Sequence, residues 1–281
     1  MREQGIDFMD KALLLIAFAV TCFAGCSAAP IANDQQLSPA LNIARAAGFD
    51  DGLRDVEIPE DAHSDLRSSA AYGAAFAISG YYTPSPGLTR SGTAGLNLAG
   101  WLLEPDKPSG KSLVVAWQPT EGRVAEVARA EFVDAFTEAA QEAARAFGME
   151  TWVKKHADAT GAYLFVTSGN DEYCQGVEYC LLFGFRLDDP RYETSAPEVA
   201  AIIGDAFFYS PYDKSVFTFN KQFMGFSELA FLQEISRHLP TWCYFYAPPK
   251  KLKMNGEDAL EAPVVVSDGE ALFFVKQEAR P

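Results

Sequence analysis

Ser112–Gln118, SLVVAWQ, followed after a short turn by Val124–Phe147, VAEVARAEFVDAFTEAAQEAARAF, is the stretch that decides the fold. The first segment is a continuous apolar run rich in β-branched residues, the signature of a strand covered on both faces. In the second, Val124, Ala128, Phe132, Phe136, Ala140, Ala143 and Phe147 recur every three or four residues. That spacing lines one side of an α-helix, and Gly148 supplies its stop. Two further strand-like runs follow, Ala162–Thr167 (AYLFVT) and Glu178–Leu187 (EYCLLFGFRL), separated by the turn residues Gly169-Asn170-Asp171. The order is β-α-β-β.

Downstream the order recurs. Ser195-Ala196-Pro197-Glu198 opens a short helix expected through Ile203, ahead of the aromatic stretch Ala206–Tyr209. Val216–Phe219 reads as a strand, Ser227–His238 as a helix capped by Ser227 and stopped by Pro240, and Trp242–Tyr246 as a strand. Val264–Val266 and Ala271–Val275 flank Ser267-Asp268-Gly269, a hairpin signal. The expected fold class is α+β, a mixed or largely antiparallel sheet with helices packed on it. Residues 112–187 and 216–275 form two candidate βα-hairpin units within one globular domain, 38–281.

Upstream of that pattern, Ser38-Pro39 starts a helix that Gly48 closes, and Asp50–Asp65 reads as loop. Ser68–Tyr82 and Gly92–Leu103 are apolar and Gly/Ala-rich, with the break Thr83-Pro84-Ser85-Pro86-Gly87 between them. Both are too short to span a bilayer and suggest packed helices or an irregular covering layer.

The amino terminus carries a different signal. Lys11 precedes the apolar run Ala12–Phe23, which has the length of a signal-peptide core and falls short of the roughly 18–20 residues of a spanning helix. The run ends in Phe23-Ala24-Gly25-Cys26, which resembles the lipobox of bacterial lipoproteins, with Phe where the family usually has Leu. The resemblance covers the leader alone. It implies cleavage before Cys26, acylation of Cys26 and a membrane anchor, with 1–25 as signal peptide and 26–37 as a short polar tether. Ser27 after the cysteine implies, by the same resemblance, the outer membrane facing the periplasm. Glu3, Asp7 and Asp10 outnumber Arg2 and Lys11, an unusual balance for a leader, so Met9 is the expected true start.

The chain's formal net charge of −15 argues against nucleic acid and against adhesion to anionic lipid headgroups. Its 48% hydrophobic content is that of a globular protein.

Candidate chemistry is sparse. Cys174 and Cys180 are spaced wrongly for a C-x-x-C redox motif, and in an oxidising envelope they read as a disulfide stapling a hairpin loop. Cys243, inside an aromatic strand, reads as a buried apolar side chain, with His238 the one histidine near it in sequence. Lys154, Lys155, His156 and Asp158 form a polar cluster that reads as a solvated loop before a strand, and His63 sits in an acidic loop. Three histidines without H-x-x-x-H spacing give no metalloenzyme signature, and no G-x-S-x-G or S-x-x-K appears. Ser109-Gly110-Lys111-Ser112 ends like a phosphate-binding loop, but Pro105 occupies the first glycine position and the segment precedes a strand. The aromatics of Phe207–Tyr212, Phe217–Phe226 and Trp242–Tyr246 read mainly as sheet core, with Tyr209–Lys214 the most exposed part. Lys250-Lys251-Leu252-Lys253 reads as a solvated basic loop.

These features lead to the expectation of a membrane-anchored envelope lipoprotein. Its expected role is non-catalytic binding or assembly, with a protein partner in the envelope and no cofactor or metal. Two alternatives are an envelope hydrolase whose His156 or His238 meets a carboxylate in the fold, and a lipoprotein that neutralises a basic toxin.

Overall fold

The computed structural model describes residues 32–55, 110–167, 179–219, 227–248, 250–254, 257–261 and 263–274. Three α-helices occur among them: α1 (Pro39–Ala47), α2 (Ala125–Ala146) and α3 (Glu228–Arg237). The strands are β1 (Leu113–Pro119), β2 (Thr151–Lys155), β3 (Gly161–Thr167), β4 (Tyr179–Arg186), β5 (Arg191–Glu193) and β6 (Ala206–Tyr209). They continue with β7 (Val216–Phe219), β8 (Cys243–Ala247), β9 (Lys250–Met254), β10 (Glu257–Glu261), β11 (Val264–Ser267) and β12 (Glu270–Phe273). The expected α+β class is observed.

Ten strands make one sheet, ordered β12-β11-β8-β1-β7-β4-β3-β2, with β6 pairing β1 and β5 beside that path. Every described ladder is antiparallel. Both βα-hairpin segments supply strands to it, and β7 of the second lies between β1 and β4 of the first. Helices α2 and α3 therefore each cross between non-adjacent strands of like direction, β1 to β2 and β7 to β8.

Local chemistry sets the helix ends. The Ser38 side chain accepts from Leu41 N, and Gly48 closes α1 at φ 76. Ser227 caps α3 through Ala230 N. In the β11–β12 hairpin, Asp268 and Gly269 both take positive φ, the conformation of a two-residue turn whose twist matches its strands.

β6 and β7 behave as one interrupted strand along β1. Tyr209 pairs with Ala116 and Val216 with Leu113, so six residues, 210–215, stand opposite two. The surplus bulges out in a 3-10 turn, and the hydroxyl of Tyr212 donates to Gly48 O at the end of α1. Ser210 and Ser215 are fully buried here, and Asp188 N donates to Ser215 Oγ at 3.3 Å.

The sheet's two faces carry two cores. On the first, α2 and α3 cover Val114, Phe183, Phe185, Phe217 and Phe245; Phe136 stacks on Phe185 with centroids 3.9 Å apart. A bulge in β4 turns both Leu182 and Phe183 into this core. Tyr209 and Gln118 are satisfied within this core: Tyr209 donates to Gln118 Oε1 at 2.8 Å, and Gln118 Nε2 donates to Ala128 O at 3.1 Å. On the second face, α1, Phe49 and the segment around Ala196–Ala200 cover Leu113, Val115, Trp117, Phe208, Tyr244, Tyr246 and Val265.

The structure corrects several expectations. Lys154 and Lys155 lie in β2, an edge strand, because Thr151-Trp152-Val153 pairs with Leu164-Phe165-Val166 and carries the lysines into the ladder. Segment 195–203 holds only a 3-10 turn, Glu198–Ala200, ended by Ala201 at φ 54. Lys250–Lys253 lies in β9 rather than a loop, because its backbone pairs antiparallel with β10, Lys250 opposite Glu261 and Lys253 opposite Asp258. β5 was not expected, and Ala206–Tyr209 is a strand. The two apolar segments 68–82 and 92–103, and most of 50–65, lie outside the described residues.

Candidate functional site

Among the described residues, the second face of the sheet is covered over β1, β6, β8 and β11 and left open over β2, β3, β4 and β7. Alternation places Trp152 and Lys154 of β2, Tyr163 and Phe165 of β3, Gly184 and Arg186 of β4, and Thr218 of β7 on this open side. Cross-strand register makes Lys154–Tyr163–Gly184–Thr218 a single row, with Trp152 opposite Phe165 one step along.

An aromatic ledge runs along that side. Trp152 stacks on Phe165 with centroids 4.3 Å apart and planes at 11°. Tyr163 follows at 6.3 Å from Phe165, and His156 lies 4.5 Å beyond Tyr163. Gly184 makes room for it: a Cβ there would sit 2.8 Å from Tyr163 Cδ1, so only glycine lets the ring lean over β4. Tyr163 remains 39% exposed. Beside the ledge is an open groove of about 590 Å³, floored by Tyr163, Gly184, Val216 and Thr218 and rimmed by Lys154 and Arg186.

The groove's charge runs against that of the chain. Its ionisable lining is Lys154, Lys155, His156, Asp158 and Arg186. Lys155 Nζ is bound by Asp134 at 2.5 Å, and Arg186 lies 3.4 Å from Asp158. Lys154 has no ion-pair partner among the described residues. Asp158 accepts from Thr160 Oγ1 at 2.6 Å and from Thr160 N at 3.2 Å, bonds that hold its carboxyl below the usual range. Burial holds the His156 pKa down, and the Arg186 charge adds to this against the pull of Asp158. Its Nδ1 is 3.5 Å from Thr160 Oγ1, while Nε2 is shut from solvent without a hydrogen-bond partner.

The other sequence candidates are scattered. Cys26, Cys174 and His63 lie outside the described residues. Cys180, in β4, is disulfide-bonded. Cys243 is buried in the first core, and burial pushes its thiol well up. His238 ends α3 on the surface, its Nε2 3.3 Å from Glu234 Oε1. Tyr209, Ser210 and Pro211 are buried, and Tyr212 and Lys214 are exposed. Trp152, Tyr163, Phe165, Gly184, Arg186 and Thr218 had not been singled out from sequence. The period-two alternation of Trp152, Lys154 and His156 was the available signal.

A second cleft of about 560 Å³ lies between the start of α1, the 3-10 turn and the β11–β12 hairpin, with Asp34, Glu198, Asp268 and Glu270 among its lining. Asp34 is 3.6 Å from Arg45, and Glu198 accepts from Asn33 N at 3.0 Å. Among the described residues there is no group of three or more His, Cys, Asp or Glu placed to hold a metal, and no helix long and apolar enough to cross a membrane.

Compared with protein-family models, with curated proteins and with solved structures, the chain matches none of them.

Proposed function

We propose that the chain is a lipid-anchored envelope protein that binds a ligand or partner non-catalytically on the open side of its sheet. The observation that carries this reading is the ledge and groove on β2, β3, β4 and β7, where aromatic and cationic side chains face solvent on an otherwise acidic molecule. The anchor rests on the lipobox-like Phe23-Ala24-Gly25-Cys26. Two or more acyl chains at Cys26 hold a protein stably, since each buried methylene contributes about 0.8 kcal/mol.

The hydrolase alternative has less support. His156 meets Asp158 only through shared neighbours, and the carboxylate is already engaged by Thr160 and Arg186. No serine or cysteine nucleophile contacts either described histidine through the bonds described above. The toxin-neutralising alternative draws on the acidic cleft, whose Asp34, Glu198, Asp268 and Glu270 suit a basic partner.

The test has two arms. Cells making the native chain should incorporate labelled palmitate and keep the protein in the membrane fraction, and Cys26→Ala should do neither. In-cell crosslinking should then give a reproducible adduct that Lys154→Glu/Arg186→Glu diminishes. Palmitate uptake by Cys26→Ala would remove the anchor, and an adduct indifferent to the charge reversals would remove the binding face.

A further inference from the structure

We infer that the groove on β3, β4 and β7 is a subsite for a carboxylated sugar unit, with the ring on Tyr163 and the carboxylate between Lys154 and Arg186. The inference rests on the reading of this face as a binding surface. Shape is the first argument. The volume of about 590 Å³ is on the small-molecule scale and has room for one or two sugar rings. Neighbouring strands lie about 4.8 Å apart, so the row from Lys154 to Thr218 is roughly 14 Å long, with Arg186 about 7 Å along β4 from Gly184.

Chemistry along that row is the second argument. Tyr163 leans over Gly184 with an aromatic surface left to solvent, a platform for the C–H side of a pyranose. Thr218, exposed and opposite Gly184, presents a hydroxyl suited to sugar hydroxyls. Lys154 and Arg186 stand on opposite sides of the ring, and charge-assisted bonds from such groups favour carboxylate over neutral sugar. In a chain of net charge −15, Lys154 is the groove cation without an ion-pair partner among the described residues. Arg186, 3.4 Å from Asp158, is the second charge an anion would draw on, since Lys155 is bound by Asp134.

Position argues against an acidic peptide as occupant. An extended peptide would add along the outer edge of β2, where backbone groups supply the affinity. The polar groups of the groove lie inward of that edge, across β3, β4 and β7.

The full chain in detergent is titrated by calorimetry with trigalacturonate, maltotriose and sodium acetate. Trigalacturonate should bind with Kd of about 1 mM or tighter, and maltotriose and acetate at least about tenfold more weakly. Lys154→Gln/Arg186→Gln should weaken trigalacturonate at least about tenfold without moving the unfolding midpoint, and Tyr163→Phe should keep it. Equal binding of trigalacturonate and maltotriose, or no saturable binding by either, overturns the sugar assignment. A photo-crosslinker at Thr218 separates the two levels. Capture of a protein there, with no trigalacturonate binding, removes the sugar and keeps the binding face; no adduct and no binding removes both.

Discussion

The two halves of the sheet's second face are built from similar residues and end in different situations. On the covered half, Trp117 stacks on Phe208 with centroids 5.0 Å apart, Tyr244 meets its edge, and Phe49 packs on Tyr246. On the open half, Trp152 stacks on Phe165 just as closely, yet both rings stay only partly buried. Aromatic content therefore does not separate core from surface in this chain. The difference comes from α1 and the segment around Ala196–Ala200, both distant in sequence from β1, which close over one half and stop short of the other.

The largest effect that tests this contrast is at the tryptophans. Trp117→Ala should destabilise the protein by about 3–5 kcal/mol, because a fully buried side chain leaves a cavity its neighbours cannot fill. Trp152→Ala should cost less, because its ring is half-buried rather than fully enclosed. Urea unfolding of the two variants gives the comparison directly. Equal losses would mean that the open half is packed after all.

Next comes Gly184→Val, which drives a side chain into the space Tyr163 occupies and should cost about 1–3 kcal/mol. In a Tyr163→Ala background most of that cost should vanish, a coupling of at least about 0.5 kcal/mol in a double-mutant cycle. Additive effects would show that the ring does not rest on the glycine.

Ser38→Ala probes the covered half through its cap. Ser38 holds Leu41 N and also donates to Asp55 Oδ1 at 2.5 Å, so its loss should cost about 1 kcal/mol. Ligand binding on the open half should be unchanged, as calorimetry would show.

The smallest effect is a pH dependence at His156. Its folded pKa lies below the usual 6.5, so the unfolded chain binds the extra proton first as pH falls. Stability from this group is fully present above about 6.5 and declines below it, and His156→Gln should flatten that part of the profile. A profile unchanged by the substitution would count against the burial of its ring.

Much of the fold was legible because local signals agreed. Ser38 and Gly48 mark α1, the three- and four-residue spacing marks α2, and Asp268-Gly269 marks the last hairpin. What escaped was set by pairing between distant segments. β2 carries Lys154 and Lys155 where a strand signal would be apolar, and becomes a strand because β3 offers it a ladder. The open site escaped for a related reason. Along β3, Ala162, Leu164 and Val166 face the core while Tyr163 and Phe165 face outward, and with both sets apolar the sequence does not say which side stays uncovered.

The most direct test of the open half as the binding surface is site-specific photo-crosslinking in cells, from Thr218 on the open face and from Val127 on the exposed side of α2. A defined adduct is expected from position 218, reduced by Lys154→Glu/Arg186→Glu, and none from position 127. Equal labelling from both positions, or an adduct from 127 alone, would contradict it.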